Sequence, residues 1–251
     1  MSFLQQLHKL FRPATIESLQ ADQDVEGLIA ALNRNLRACQ AAAEALGQIG
    51  DEQALDPLVA ILESSDVHKS VARALGQIGD AQVVGPLVSA LDDIPQVAAE
   101  ALAEIGAPSV EPLISALHTK DLKVRWAAAE ALGRVGAPAV EPLIALLDSR
   151  RKDLHPAAAW ALGETGDVRG VGPLAVVLEH EDREVRRVAA MELGRLGDER
   201  AVEALIAALK DNDQEVRDVV VEALESITGQ EFDDDVDRWQ RWWNKRVGPE
   251  D

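Results

Sequence analysis

Tyrosine is absent from this chain of 251 residues, phenylalanine occurs three times and cysteine once. A lone Cys39 excludes an internal disulfide framework and fits a reducing compartment. No apolar run approaches the roughly 18 residues that a membrane-spanning helix needs. The opening M-S-F-L-Q-Q-L-H-K-L-F has no basic start, no continuous apolar core and no small-residue cleavage site, so a cytoplasmic protein is expected. Basic residues are scarce: 25 against 44 acidic ones, a formal charge of −19. That balance argues against non-specific binding to nucleic acid or to acidic membranes. No G-x-x-x-x-G-K-[ST] loop is present to cradle a nucleotide phosphate.

What the chain has is repetition. The phrase A-L-G-Q-I-G-D stands at Ala45–Asp51 and again at Ala74–Asp80, with five weaker copies downstream. The second glycines, Gly50, Gly79, Gly106, Gly136, Gly166, Gly197 and Gly229, are spaced 29, 27, 30, 30, 31 and 32 residues apart. A period in this range marks a solenoid, whose units bury their apolar faces only against their neighbours. Abundant alanine, leucine, valine and isoleucine suit helices that approach closely.

Each unit reads as a short helix A and a longer helix B. In the fifth unit, Pro138 suits a first helical position, Ala139–Leu147 is helix A, and helix B ends near Gly163 or Thr165, before Gly166. Pro57, Pro86, Pro112, Pro142 and Pro173 recur near the start of A helices, where they should bend or wedge the helix start. In the fourth unit, Val124, Ala127, Ala128, Ala131, Leu132 and Val135 form one buried face. D-x-x-V-R marks the start of helix B at Asp121–Arg125, Asp182–Arg186 and Asp213–Arg217. The aspartate can cap the helix, while the arginine can bond the adjacent repeat, giving a structural ladder. Cys39, His68, Pro95 and His155 interrupt it in the other pairs. The last leucines of helices A and B lie 15 residues apart in pairs 4 to 7 but 11 apart in pair 3 (Leu91 to Leu102), so pair 3 lacks about one turn.

The D-x-x-V-R-x-x-A-A-x-A-L-G and G-D-x-x-A-V-x-P-L-I patterns resemble the short HEAT-like repeats of the phycobilin-lyase family. The resemblance spans about residues 24–228 and implies an all-α, right-handed α-α superhelix of seven helix pairs. Residues 1–23 and 229–251 would cap its two ends in one continuous domain. For function the resemblance implies lyase subunits, hydroxylases and plain scaffolds alike. The related deoxyhypusine hydroxylases hold two irons on repeated His-Glu pairs at the start of helix B. Here the one such dipeptide, His180–Glu181, falls in the loop before helix B of pair 6, so no metal site is expected. The five histidines read as scattered, and Cys39 as a buried structural thiol.

At the N-terminus, Phe3, Leu4, Leu7, Leu10 and Phe11 make an apolar stripe suited to packing on the first pair. Trp239, Trp242 and Trp243 read as a C-terminal cap on pair 7, which the resemblance also implies. B helices line the concave side of such solenoids, and their exposed columns differ sharply between pairs. Pair 4 offers Trp126, Glu130 and Arg134; pair 5 Trp160 and Glu164; pair 6 Arg187, Met191 and Arg195. Tryptophan and arginine dominate binding hot spots, and methionine adapts to varied partners. The three pairs also lie in the one near-neutral stretch: residues 120–200 carry 13 basic and 14 acidic side chains. The expected function is a non-catalytic scaffold gripping a protein or peptide segment on this face, with no cofactor. The alternative is a lyase-like subunit binding a linear tetrapyrrole between Trp126 and Trp160, working in a hetero-complex with a related subunit.

Overall fold

The computed structural model describes residues 15–62 and 68–248. The N-terminal stripe and the His68 side chain lie outside the described residues. Every described regular element is helical. Contacts divide the chain into two units, residues 1–105 and 106–251.

In the first unit, α1 (Ile16–Ala21) precedes three pairs: α2 (Val25–Leu32) with α3 (Leu36–Ile49), α4 (Leu55–Leu62) with α5 (His68–Ile78), and α6 (Val84–Ser89) with α7 (Pro95–Ile105). The second unit holds four: α8 (Val110–Ala116) with α9 (Leu122–Val135), α10 (Val140–Leu147) with α11 (His155–Glu164), α12 (Val171–Val176) with α13 (Arg183–Leu196), and α14 (Val202–Ala208) with α15 (Gln214–Thr228). The last helix is α16 (Val236–Val247). Within each unit the longer second helices stack on one another, α3 on α5 on α7, and α9 on α11 on α13 on α15. This is a HEAT/armadillo-like arrangement.

Leucine supplies the core at a fixed place in every pair. Leu28, Leu58, Leu87, Leu113, Leu143, Leu174 and Leu205 of the first helices are fully buried, as are Leu46, Leu75, Leu102, Leu132, Leu162, Leu193 and Leu224 of the second. The two glycines of the A-L-G-x-x-G phrase do different things. The second ends the helix: all seven have φ between 66° and 80°, a left-handed backbone that glycine adopts without penalty. The first lets the next second helix come close. A Cβ on Gly76 would lie 2.7 Å from the Ala101 Cα, and one on Gly194 would lie 2.9 Å from the Ala223 Cα.

Helix A of the fifth pair begins at Val140 rather than Ala139, because a 3-10 turn over Ala137–Ala139 takes Pro138. Such a turn precedes each first helix from α4 onward. Asp51, Asp80, Asp167 and Asp198 cap it where aspartate follows the glycine; Pro108 and Pro138 stiffen it where alanine does. The recurring Pro57, Pro86, Pro112, Pro142 and Pro173 each stand third in their helix, where the missing N–H would have had no intrahelical acceptor. In pair 3 the second helix has 11 residues against 14 in α9, close to one turn fewer. At the C-terminal end α16 packs against α14. Trp239 is fully buried, donating its indole N–H to the Asp233 carbonyl at 2.9 Å, with Trp242 and Trp243 half-buried beside it. No helix among the described residues is long and apolar enough to cross a membrane.

The two kinds of glycine site predict opposite responses to substitution. Gly194→Val should cost about 1–3 kcal/mol or more, because the side chain meets Ala223 with no room to move. At Gly172, where a Cβ meets nothing within 4 Å, Gly172→Glu writes in the residue found at Glu111 and Glu141 and should add about 0.5–1 kcal/mol. Urea melts of the two variants check both signs.

Candidate functional site

The exposed columns of α9, α11 and α13 meet through specific contacts. Trp126 is 40% exposed, and its ring stands edge-on to that of half-buried Trp160, centroids 5.6 Å apart and planes at 80°. That geometry suits the quadrupoles of two aromatic rings. One helical turn on, Gly133 leaves room for the side chain of Glu164. Arg195 then bridges α13 to α11 by donating to both Glu164 and Glu192, the latter at 3.0 Å. Arg134 pairs with Glu130 at 2.7 Å and Arg187 with Glu184 at 2.7 Å. Met191 is half-buried between Arg187 and Arg195. The structure therefore joins Trp126, Trp160, Glu164 and Arg195 in one patch, while Glu130, Arg134 and Arg187 pair within their own helices.

Glu192 is the member that the sequence reading missed. It stands where the other A-L-G phrases carry Ala45, Ala74, Ala101, Ala131, Ala161 and Ala223, and it is fully buried. Its side chain fits because Gly163 on α11 has no Cβ to oppose it. Arg195 satisfies Oε2, but Oε1 has no hydrogen-bond partner. Burial pushes the carboxyl up to about 7 against the pull of Arg195, and nearby Glu164 adds to the rise. Repeat-by-repeat alignment exposes this residue as the one carboxylate in an alanine column.

The ladder residues cluster on the loop edge. Asp121, Asp182 and Asp213 cap α9, α13 and α15. Arg125, Arg186 and Arg217 each donate to the carbonyl six residues back, on Thr119, His180 and Asp211. Arg125 and Arg186 also reach forward, to Asp153 and to the largely buried Asp211 at 2.6 Å. His155 stands in the same place and bonds the same carbonyl position, on Ser149, at 3.0 Å.

The histidines are not all scattered. His155 Nδ1 lies 3.1 Å from His180 Nε2, because residues 25 apart face each other across this edge, as Arg186 and Asp211 do. The Asp182 N–H donates to His180 Nδ1 at 3.0 Å, so His180 Nε2–H donates to His155 Nδ1, and His155 Nε2–H donates to Ser149. Every donor in this neutral pair has an acceptor. Burial holds His155 below its ordinary 6.5. Its contribution to stability is therefore complete above that value and falls as pH drops through it. Among the described residues no group of three or more histidine, cysteine, aspartate or glutamate side chains is arranged to hold a metal ion. Cys39 is buried, and burial raises its thiol pKa.

Glu192 acts in the opposite sense. Its folded pKa lies above the ordinary 4.5, so its stabilising contribution is complete below that value and is lost as pH rises through about 7. Glu192→Ala, which writes in the residue of the other repeats, should raise stability by about 2 kcal/mol more at pH 8 than at pH 5. Thermal melts of both proteins across that range check it.

A model of HEAT repeats matches residues 25–97, 92–155 and 140–225. No match is found among curated proteins. Among solved structures, human deoxyhypusine hydroxylase in complex with glycerol is similar at 23% identity and a TM-score of 0.42, over 86% of this chain and 89% of that one. The complex of CpcE and CpcF of phycocyanin lyase from a Nostoc species is similar at 25% identity and 0.42, over 88% and 94%. A designed armadillo repeat protein in complex with the peptide (KR)4 is similar at 19% identity and 0.38, over 81% and 99%. With its repeat phrase and stacked helix pairs matched over most of its length, the chain belongs to the HEAT-repeat family.

Proposed function

We propose that the chain is a non-catalytic scaffold that holds a segment of another protein against the exposed faces of α9, α11 and α13. HEAT repeats form a scaffold capable of protein interaction; the choice of this face and of its anchors is the finer step. The observation that carries it is the Trp126–Trp160 pair, with Trp126 left 40% exposed. Tryptophan gains more from burial than any other side chain, and an exposed one offers that gain to a partner. Around it the charged groups are already paired within the chain, which suits the polar rim of an interface better than its core. The two rings support one another, so the anchor is held in place before binding and little side-chain entropy is lost.

Trp126→Ala should weaken the complex by about 2 kcal/mol, the scale of an interface hot spot. Its effect on stability should stay near the ~0.5–1.5 kcal/mol of a lost aromatic pair. Trp160→Ala should cost more stability, because that ring is the more buried of the two. The checks are capture of partners from a lysate by the parent chain, then the Kd of the captured partner and the melting point of each variant. A partner held equally well by both tryptophan variants removes this face from the function.

A further inference from the structure

Arg195 differs from Arg186 and Arg187 of the same helix in how it spends its donors. A single nitrogen, Nη1, serves both Glu164 and Glu192. Its Nε and Nη2 donate to no group among the described residues, and the side chain is 47% exposed. Arg187 closes its Nε–Nη2 edge on Glu184, and Arg186 closes the same edge on Asp211. That edge is the part of a guanidinium that matches the two oxygens of a carboxylate. Arg195 thus presents an open fork on the same helix face as Met191, beside the Trp160 helix.

Behind the fork lies Glu192, wholly buried, with Oε1 unpartnered. The charged groups that act on it are Arg195 on its own helix and Glu164 on α11; none on α12 or α15 does so. Among the described residues Arg195 is therefore the one cation that offsets an ionised Glu192. An incoming anion on Arg195 divides that compensation, and a buried charge left short of its counterion is costly. A proton on Glu192 removes the cost, and near neutral pH this carboxyl is poised to take one.

Resting on the docking face proposed above, we propose that the open Nε–Nη2 edge of Arg195 seats an aspartate or glutamate carboxylate of the bound segment, and that Glu192 takes up a proton from solvent as it does so. The binding of an acidic segment is then linked to pH through a residue that never touches it. This assigns a purpose to the one carboxylate in the alanine column, and it sets the partner's chemistry: an acidic residue placed next to an apolar group that covers Trp126.

The test uses acetylated hexaglutamate as the probe, titrated calorimetrically into the full chain at pH 6, 7 and 8. The expected result is roughly tenfold tighter binding at pH 6 than at pH 8, the limit set by a group that titrates near 7. At pH 7, buffers of different ionisation heat should report net proton uptake. Glu192→Gln should keep binding but abolish the uptake and flatten the pH dependence, while His155, which burial holds below its ordinary 6.5, remains in place. Arg195→Gln should weaken the probe roughly tenfold or more at every pH, and Arg195→Lys, which keeps the charge but lacks the fork, should fall between. Binding that ignores pH in the parent chain, the same proton uptake in Glu192→Gln, undiminished binding in Arg195→Gln, or no binding of the probe would each overturn the proposal. If any of these occurs while Trp126→Ala still releases the lysate partner, the carboxylate seat is wrong and the docking face stands. If the seat behaves as expected while the tryptophan variants release nothing, the docking face falls and the anion site stands alone.

Discussion

Successive second helices in each unit come close enough that a single methyl group decides the spacing. Where Gly47, Gly76 and Gly194 face Ala74, Ala101 and Ala223, the backbones approach until a Cβ would stand under 3 Å from the neighbouring Cα. Dispersion falls off steeply with separation, so this approach is what gives small side chains a useful packing energy. It also explains the composition: a core made of leucine and alanine needs neither tyrosine nor much phenylalanine. Any larger residue in the column demands room on the opposing helix. Gly163 gives that room to Glu192, and Gly133 gives it to Glu164.

At the other edge the repeats are tied by hydrogen bonds rather than by contact. The loop between first and second helices carries a carbonyl that a cationic or imidazole N–H six residues on meets. Arginine can do this and still reach the next repeat's carboxylate, as Arg186 does with Asp211. Histidine has only two nitrogens, so His155 uses one on the carbonyl and the other on His180. The substitution keeps both links, but it replaces an ion pair that holds over a wide pH range with a neutral pair that acid disrupts.

The fold was legible because its signals are periodic. Glycine at each helix end, proline third in the first helix and leucine at one fixed place all repeat, and each has a local cause that needs no tertiary knowledge. The site was legible only in its exposed members. Trp126 and Trp160 stand out as rare residue types, and their columns follow from helical spacing. The pairing of the arginines was not legible, since whether Arg195 turns to Glu164 or Arg187 to Glu184 depends on rotamers and on which neighbour arrives first. His155 and His180 meet across 25 residues of chain, a distance that the periodicity of single helices does not encode. Glu192 was hidden by the phrase that reveals the repeat: matching E-L-G-R-L-G-D to its siblings draws attention to what agrees, whereas the chemistry lies in the letter that differs.

That letter also bears on how the face works. A buried carboxylate with an unpartnered oxygen lowers stability at neutral pH. Natural sequences break their own local rules mainly where function asks it. The break here is one residue from Met191, three from Arg195 and across from the helix that carries Trp160, so it sits beneath the patch that Trp126, Trp160, Glu164 and Arg195 form. The surface charges above it are paired among themselves and offer a passing partner little net attraction. A carboxyl that burial brings to about 7 can change its charge on contact; under the proposal it would yield its counterion when a carboxylate arrives. In the complex proposed above, tryptophan would supply the affinity and the Arg195–Glu192 couple the discrimination, dividing the work of binding between an area term indifferent to pH and an electrostatic term that is not.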